Sequence, residues 1–590
     1  MRQNSRTVHS PNLGLYLGTP PLTVPERGLS DCMNVRISQQ LIEAGTLGYS
    51  PFPNTGSAIN LDAKPVLLVD LFVRRNDVNK LVLGNTSDLF EYDSANEKAL
   101  YITPRFEAGT VDVTNSSPTV TGTGTSWSSE LKAGDFIHVG ATAQRELTAT
   151  WYEIDTVDSD TQVTLTENYA EATAAGQDYT ARSIFLGDLT TPFNAEVFYS
   201  AVDVEGTDGD RWYATNGVDA VVGWDGSTDQ VYRPTLGAID TAAFIRRFKN
   251  VMVYGAIEDA GDAKDYSIRT SAIGKPEEVV TDEAAEFLVH DGSDKLLAAA
   301  ELGELLVLYS SRHITLVQFV GPPTMFVFRT ASTGFGPRSG QAVVEFPDHH
   351  LFIGPDSQYR FDGGATTYWN THLWRDVNRT MSPQRLDMIR TFFDEERGDL
   401  LWTVPLNSDA DPNEGPPEIT YAHHYLERVG DNPDPHTRRE LPATAFGAYQ
   451  RETTLTWADL GDAWSETNFR WNDQFFQDAF PQVLFGTANG DVFILNTQSS
   501  ANGTALTAYA RFGRRPLGNT LRKGILKRVY PFVQQLSASD LNLTVRIRTT
   551  NLPQGVASAV ADIPYAIKQA DPKHFVSTLT SARFVELEFR

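Results

Sequence analysis

A single cysteine, Cys32, stands in a chain of 590 residues, so no internal disulfide framework holds the fold together and assembly in a reducing cytoplasm is expected. It lies in Gly28-Leu29-Ser30-Asp31-Cys32-Met33-Asn34-Val35 with no partnered histidine in view, and reads as a packed thiol rather than a nucleophile. No stretch approaches the roughly 20 apolar residues that cross a bilayer. Met1-Arg2-Gln3-Asn4-Ser5-Arg6 leads into no apolar signal core, so a soluble, unexported protein without stable membrane insertion is expected. Long helical patterns are few, whereas Gly, Thr, Asp and Val are abundant and aromatics reach 11%, which favours strands over helices.

The motifs of common enzymes are missing as well. There is no Gly-x-Ser-x-Gly elbow, no Gly-x-x-x-x-Gly-Lys phosphate cradle and no His-Glu-x-x-His helix, so hydrolase, NTPase and zinc-protease readings lack their parts. The histidine pairs His349-His350 and His423-His424 are strand neighbours that point to opposite faces, which is poor geometry for one metal site. The acidic stretch from Asp203 to Asp210 offers oxygen ligands but lacks the ordered spacing of a calcium loop. A glycosidase needs two carboxylates about 5 to 9 Å apart, and 75 acidic residues nominate no such pair. The sequence therefore assigns no catalytic residue, no cofactor and no metal ligand, and a non-enzymatic protein is expected.

Positive charge is also scarce. The formal net charge of −26 excludes a general electrostatic grip on nucleic acid, which depends on Lys and Arg neutralising phosphates. The exception is the end of the chain, where thirteen basic side chains face five acidic ones between Arg511 and Arg590. Arg511, Arg514, Arg515, Arg522, Lys523, Lys527 and Arg528 are the candidates there for docking an acidic neighbour.

What the chain does contain is one phrase, repeated: an apolar strand, a Gly/Asn/Asp turn, and a short strand holding an aromatic residue. It runs from Leu81-Val82-Leu83-Gly84 to Phe90-Glu91-Tyr92, and from Trp212-Tyr213-Ala214 through Asn216-Gly217 to Val221-Val222-Gly223-Trp224. It recurs from Leu351-Phe352-Ile353-Gly354 to Tyr359-Arg360-Phe361, and from Val483-Leu484-Phe485-Gly486 through Asn489-Gly490 to Val492-Phe493-Ile494-Leu495. Partial copies lie at Val251-Met252-Val253-Tyr254-Gly255 and Leu305-Leu306-Val307-Leu308-Tyr309. Irregular repetition of short hairpins over hundreds of residues predicts an all-β fold, an irregular β-propeller enclosing a channel.

Five regions follow. Residues 1–60 read as an N-terminal arm with platform strands, 61–106 as the first propeller blade region, and 107–182 as an inserted small β-barrel or sandwich of Thr/Val strands about ten residues apart. Residues 183–504 carry the remaining blades, including a hairpin in which Thr391-Phe392-Phe393 and Leu400-Leu401-Trp402 flank the polar turn Glu395-Glu396-Arg397-Gly398. Trp457, Trp464 and Trp471 fall within fifteen residues; they read as a staple of a loop against a blade, the alternative being a stacking platform for a glycan. From 505 to 590 strict alternation, as in Leu541-Asn542-Leu543-Thr544-Val545-Arg546-Ile547-Arg548 and Arg583-Phe584-Val585-Glu586-Leu587-Glu588-Phe589, predicts a C-terminal β platform shared with the N-terminal segment.

The order of these pieces resembles the tail nozzle or hub proteins (the tail tubular protein B-like family) of short-tailed bacteriophages. The residues that carry the resemblance are Gly28–Val35, the inserted Val120-Thr121-Gly122-Thr123-Gly124-Thr125-Ser126-Trp127 with Ala133-Gly134-Asp135, and Phe248–Gly255 followed by Ile268-Arg269-Thr270-Ser271. Trp457 and Trp464 before Leu484–Asp491 and the terminal Arg583–Leu587 strand complete it. The resemblance implies a virion protein assembled in the host cytoplasm as a homo-oligomeric ring, a hexamer, below the portal and adaptor. Tail fibres or a tail needle would be further partners, and double-stranded DNA would pass without specific binding through an acidic or weakly polar lumen. The other readings are a carbohydrate-binding propeller that recognises a host receptor and a tail-associated glycan hydrolase.

Overall fold

Each of the four complete hairpin phrases forms the second and third strands of one antiparallel sheet, and the two partial copies form second strands. These middle strands are covered on both faces by neighbouring sheets, which is why they are written as solid apolar runs rather than as alternation. The computed structural model describes residues 13–590 except 18, 39–40, 44–46, 54–55, 76–78, 141–144, 148, 200–208, 238, 282–283, 290–293, 323, 370, 408–418, 428–434, 451–480, 518–522, 530–540, 554–555 and 568–575.

Seven such sheets make the blades of a β-propeller. They span residues 66–101, 194–224, 239–288, 296–333, 343–369, 390–440 and 445–495, in chain order. The first strands of the blades are Val66–Phe72, Asn194–Tyr199, Ile239–Phe248, Leu296–Leu302, Val343–Glu345, Arg390–Asp394 and Ala445–Tyr449; each touches the next, and the last touches the first. That cycle closes the ring. At the closing seam a Cβ on Gly447 would meet the Val69 carbonyl oxygen at 2.1 Å and one on Gly486 would meet the Val66 Cβ at 2.3 Å, so both positions need glycine for the seventh blade to lie against the first.

The seventh blade is finished from the other end of the chain. Tyr49–Pro51 pairs antiparallel with Val492–Leu495, Ile494 opposite Ser50. Residues 1–60 are thus not only arm and platform: part of the segment is a propeller strand, a pairing invisible in a three-residue Tyr-Ser-Pro run.

Between the first and second blades lies an eight-stranded sheet of residues 105–182, with Val111, Val120, Trp127, Ile154, Val163 and Tyr179 in its core. Arg105–Phe106 pairs with Tyr179–Arg182, so the two ends of this insertion form its neck. Arg182 fixes the neck to the first blade: its guanidinium lies over the Tyr101 ring at 3.9 Å and the Trp151 ring at 4.4 Å, and its Nε is 3.0 Å from Asp88.

The platform is a seven-stranded sheet that joins both ends of the chain. Gly14–Leu15, Gly28–Met33, Tyr509–Phe512, Phe584–Phe589, Leu541–Thr550 and Ser558–Ile567 follow one another across it, and Arg515–Pro516 pairs beside Phe584–Phe589. A two-stranded sheet of Gly524–Val529 with Val576–Ala582 packs on it through Val529 and Val576 against Val545. Leu15, Leu29 and Cys32 share an apolar cluster with Trp374 of the helix Thr371–Thr380 and Trp402 of the sixth blade, and this seam fixes the platform to the propeller. Burial there pushes the Cys32 thiol up to about 12, in keeping with a packed, unreactive group.

Candidate functional site

Three places in the fold concentrate polar chemistry: the propeller axis, the interior of the fifth and sixth blades, and one row of the platform sheet. Side chains from several blades meet near the axis around Arg390. One cavity of about 70 Å³ remains there, lined by Leu67, Val69, Phe193, Gln341, Arg390 and Phe446 from five different blade regions. That volume holds about two waters. Beside it the buried Arg390 guanidinium donates to the carbonyls of Leu189 at 2.9 Å, Thr444 at 2.8 Å, Ile389 at 2.9 Å and also Asp387, tying three blades together with no carboxylate in contact. Burial lowers it to about 10. Further along the same inner strands, Arg246 reaches Glu345 at 2.6 Å and Glu196 at 3.4 Å, and Asp70 accepts from the Trp212 indole at 2.7 Å. Burial holds the Asp70, Glu196 and Glu345 carboxyls above their ordinary values. At these two places side chains of the inner strands bridge blades that are not neighbours in the ring.

The interior of the sixth blade holds a group that resembles catalytic machinery. Asp399 accepts from the His424 Nδ1 position at 2.8 Å, from Arg36 Nε at 2.9 Å and from Arg439 Nη2 at 3.1 Å, and His424 Nε2 lies 3.0 Å from the Thr437 hydroxyl. Burial pushes the Asp399 carboxyl up, but His424, Arg439 and Arg36 pull it well below the usual carboxylate range. Burial likewise keeps His424 below its ordinary value. A carboxylate, an imidazole and a hydroxyl in line would suit a general base, yet Asp399, His424 and Thr437 are all 0% exposed, so no substrate atom can approach. The cluster joins Arg36 of the N-terminal segment to the sixth blade.

His350 is sealed in the same way. Its Nε2 faces the Glu301 carbonyl at 2.8 Å, which fixes the proton there and leaves Nδ1 to accept from the Tyr309 hydroxyl at 2.8 Å. Burial lowers its pKa to about 4. A folded pKa below the unfolded value of about 6.5 contributes stability that is present above pH 6.5 and lost as pH falls toward 4. Unfolding free energies of the wild type and His350→Gln, measured from pH 7 to 4.5, are therefore expected to diverge. The wild type should lose about 1.4 kcal/mol more per pH unit below 6.5. Parallel curves would show that His350 is not held neutral.

On the platform, five strands place Asp31, Arg511, Glu588, Arg546 and Asp562 directly opposite one another in turn, a row of alternating charge across the sheet. Arg511 Nε lies 2.8 Å from Glu588, and Arg546 makes two bonds of 2.6 Å to Asp562. Arg548 and Arg590 add bonds to Glu588 at 2.9 and 2.6 Å. Burial raises the Glu588 carboxyl, but Arg590, Arg511 and Arg548 bring it below its ordinary value. Sequence reasoning missed this row because alternation in each strand marks the polar face without revealing which strands adjoin.

The basic residues singled out from sequence divide into two groups. Arg511, Arg514 and Arg515 are bound within the platform: Arg514 is 2% exposed and holds Glu586 at 2.7 Å and the Pro553 carbonyl at 2.7 Å, while Arg515 donates to the carbonyls of Val24 and Pro25. Arg514 is thus corrected from a docking contact to an internal ion pair. Lys523, Lys527 and Arg528 are exposed along the strand Gly524–Val529 or just before it. Arg522, Trp457, Trp464 and Trp471 lie outside the described residues. Among the described residues no three His, Cys, Asp or Glu side chains gather as a metal site would require, and no helix is long and apolar enough to cross a membrane.

No family model matches the chain, and no curated protein matches it. Among solved structures it is similar to the computationally designed protein Ika8, at 10% identity over 74% of this chain and 98% of that one with a TM-score of 0.26. It is similar to the WD40 β-propeller domain of Doa1 at 11% identity, 67% and 96% coverage and a TM-score of 0.29. It is also similar to the phage phi92 endosialidase at 11% identity, 70% and 81% coverage and a TM-score of 0.21. At such scores these likenesses add nothing to the propeller traced by the strands themselves.

Proposed function

We propose that the chain is a non-enzymatic structural subunit of a short-tailed phage tail, of the nozzle or hub type. It assembles as a ring of six copies below the portal and adaptor and carries the docking sites of fibres or needle. The observation that carries this reading is the platform: strands from both ends of the chain are laced into one sheet, and an apolar seam and the Asp31–Arg438 ion pair bind it to the propeller. Such a body serves as a rigid building block. The passage for DNA is then the lumen enclosed between copies, and an acidic subunit surface lets the polyanion slide without phosphate contacts.

Negative-stain electron microscopy of the purified protein at high concentration tests this reading. Six-fold rings are expected. A monodisperse monomer at every concentration, or turnover of a host polysaccharide by the protein, would count against it.

A further inference from the structure

Large apolar side chains are unevenly exposed. Of the fifteen that stand exposed among the described residues, Ile525, Leu552, Val556, Val560 and Leu579 fall in the last eighty residues. Ile525 is opposite Ser581 where Gly524–Val529 pairs with Val576–Ala582, so Leu579, two residues before Ser581, is its diagonal neighbour on the outward face. They are 53% and 82% exposed, and Lys527 stands exposed on the same strand as Ile525 with Lys523 just before it. The inward face of this two-stranded sheet is satisfied by Val529 and Val576. The outward face is apolar and basic, and none of the described residues covers Ile525 or Leu579.

The rest of the chain has the opposite character: with thirteen basic and five acidic side chains placed after residue 510, residues 1–510 hold 36 basic and 70 acidic ones. Two copies that each carry −26 repel unless their contact joins surfaces of unlike sign. We propose that the outward face of the two-stranded sheet Gly524–Val529 with Val576–Ala582 seats on a second copy of this chain, against an acidic surface drawn from residues 1–510. The proposal rests on the ring reading above and names the surface that makes the ring. Basic-on-acidic contact joins two different patches, head to tail, which is the geometry that generates rings. Pairing of this face with itself would instead bring Lys523, Lys527 and Arg528 of the two copies together.

Sedimentation velocity of the full chain at low and high salt, beside the variants I525D/L579D and K523E/K527E, tests it. The apolar pair is expected to weaken self-association at least about a hundredfold. Charge reversal should weaken it as well, and salt should weaken the wild type by screening. The charge-reversal variant leaves the inward face intact and carries the test should the aspartates disturb folding, which melting curves reveal. Wild-type association by both variants, association strengthened by salt, or a wild type monomeric throughout would overturn the proposal. An assembly that the variants break but that lacks six-fold symmetry would keep this surface and overturn the ring reading. Six-fold rings indifferent to both variants would do the reverse.

Discussion

Replacing Asp399 with alanine is expected to destabilise the propeller by about 3–5 kcal/mol, the cost of leaving buried cations without their anion. Asp399 is the shared acceptor for Arg36, Arg439 and His424, whose side chains are at most 10% exposed. Its removal takes the carboxylate partner from the buried Arg439 and His424, while Arg36 keeps Glu43 at 3.5 Å. It also removes one link between the N-terminal segment and the sixth blade, where Arg36 then holds only the Arg397 carbonyl. A surface comparison is Asp158→Ala, on an exposed strand of the inserted domain, which is expected to leave the denaturant midpoint nearly unchanged. Denaturant midpoints of the two variants provide the check. A loss below about 1 kcal/mol for Asp399→Ala would mean that the cluster is not the buried clasp described.

A chain that begins at residue 65 is expected not to fold into a propeller with a single cooperative transition. The deletion removes Tyr49–Pro51 and leaves Val492–Leu495 as a bare apolar edge on the seventh blade. It also removes Phe52, which packs against Tyr92 at 4.8 Å and Tyr449 at 5.4 Å across the closing seam. Leu15, Leu29, Val35, Ile37, Phe52 and Leu61 are all nearly or fully buried. At about 1.5–3 kcal/mol each, their loss is on the order of the whole stability of a domain. Supplying residues 1–64 as a separate chain should restore the folded state. A truncated chain that melts cooperatively at the wild-type temperature would show that the ring closes without its N-terminal strand.

The blades were legible in the sequence where a strand is covered on both faces. Leu81–Gly84 and Val483–Gly486 read as solid apolar runs because neighbouring blades bury them from either side, and the turns that follow carry the glycine and asparagine that reversal needs. The hairpin around Glu395-Glu396-Arg397-Gly398 was legible for the same reason, with Phe393 opposite Leu400. Asp399, next to that polar turn, was not: it reads as one more surface acid, and only the arrival of Arg36 from far along the chain turns it into a buried clasp. Arg390 likewise reads as the polar start of a strand, whereas it sits at the axis because the inner strands converge there. Net charge showed that the last eighty residues are basic but not which arginines face outward. Arg514 turns inward because Glu586 lies beside it in the platform, a pairing set by register across strands rather than by local sequence.

The account turns on a passage that runs between subunits and not through any of them. A cryo-electron microscopy reconstruction of the assembled protein tests this most directly. It is expected to show six copies around a central lumen, each propeller axis crossed by side chains around Arg390 and the two-stranded sheet of Gly524–Val529 and Val576–Ala582 seated on the neighbouring copy. A duplex-wide channel through the propellers, or an open cleft in which acid and base groups converge, would contradict it.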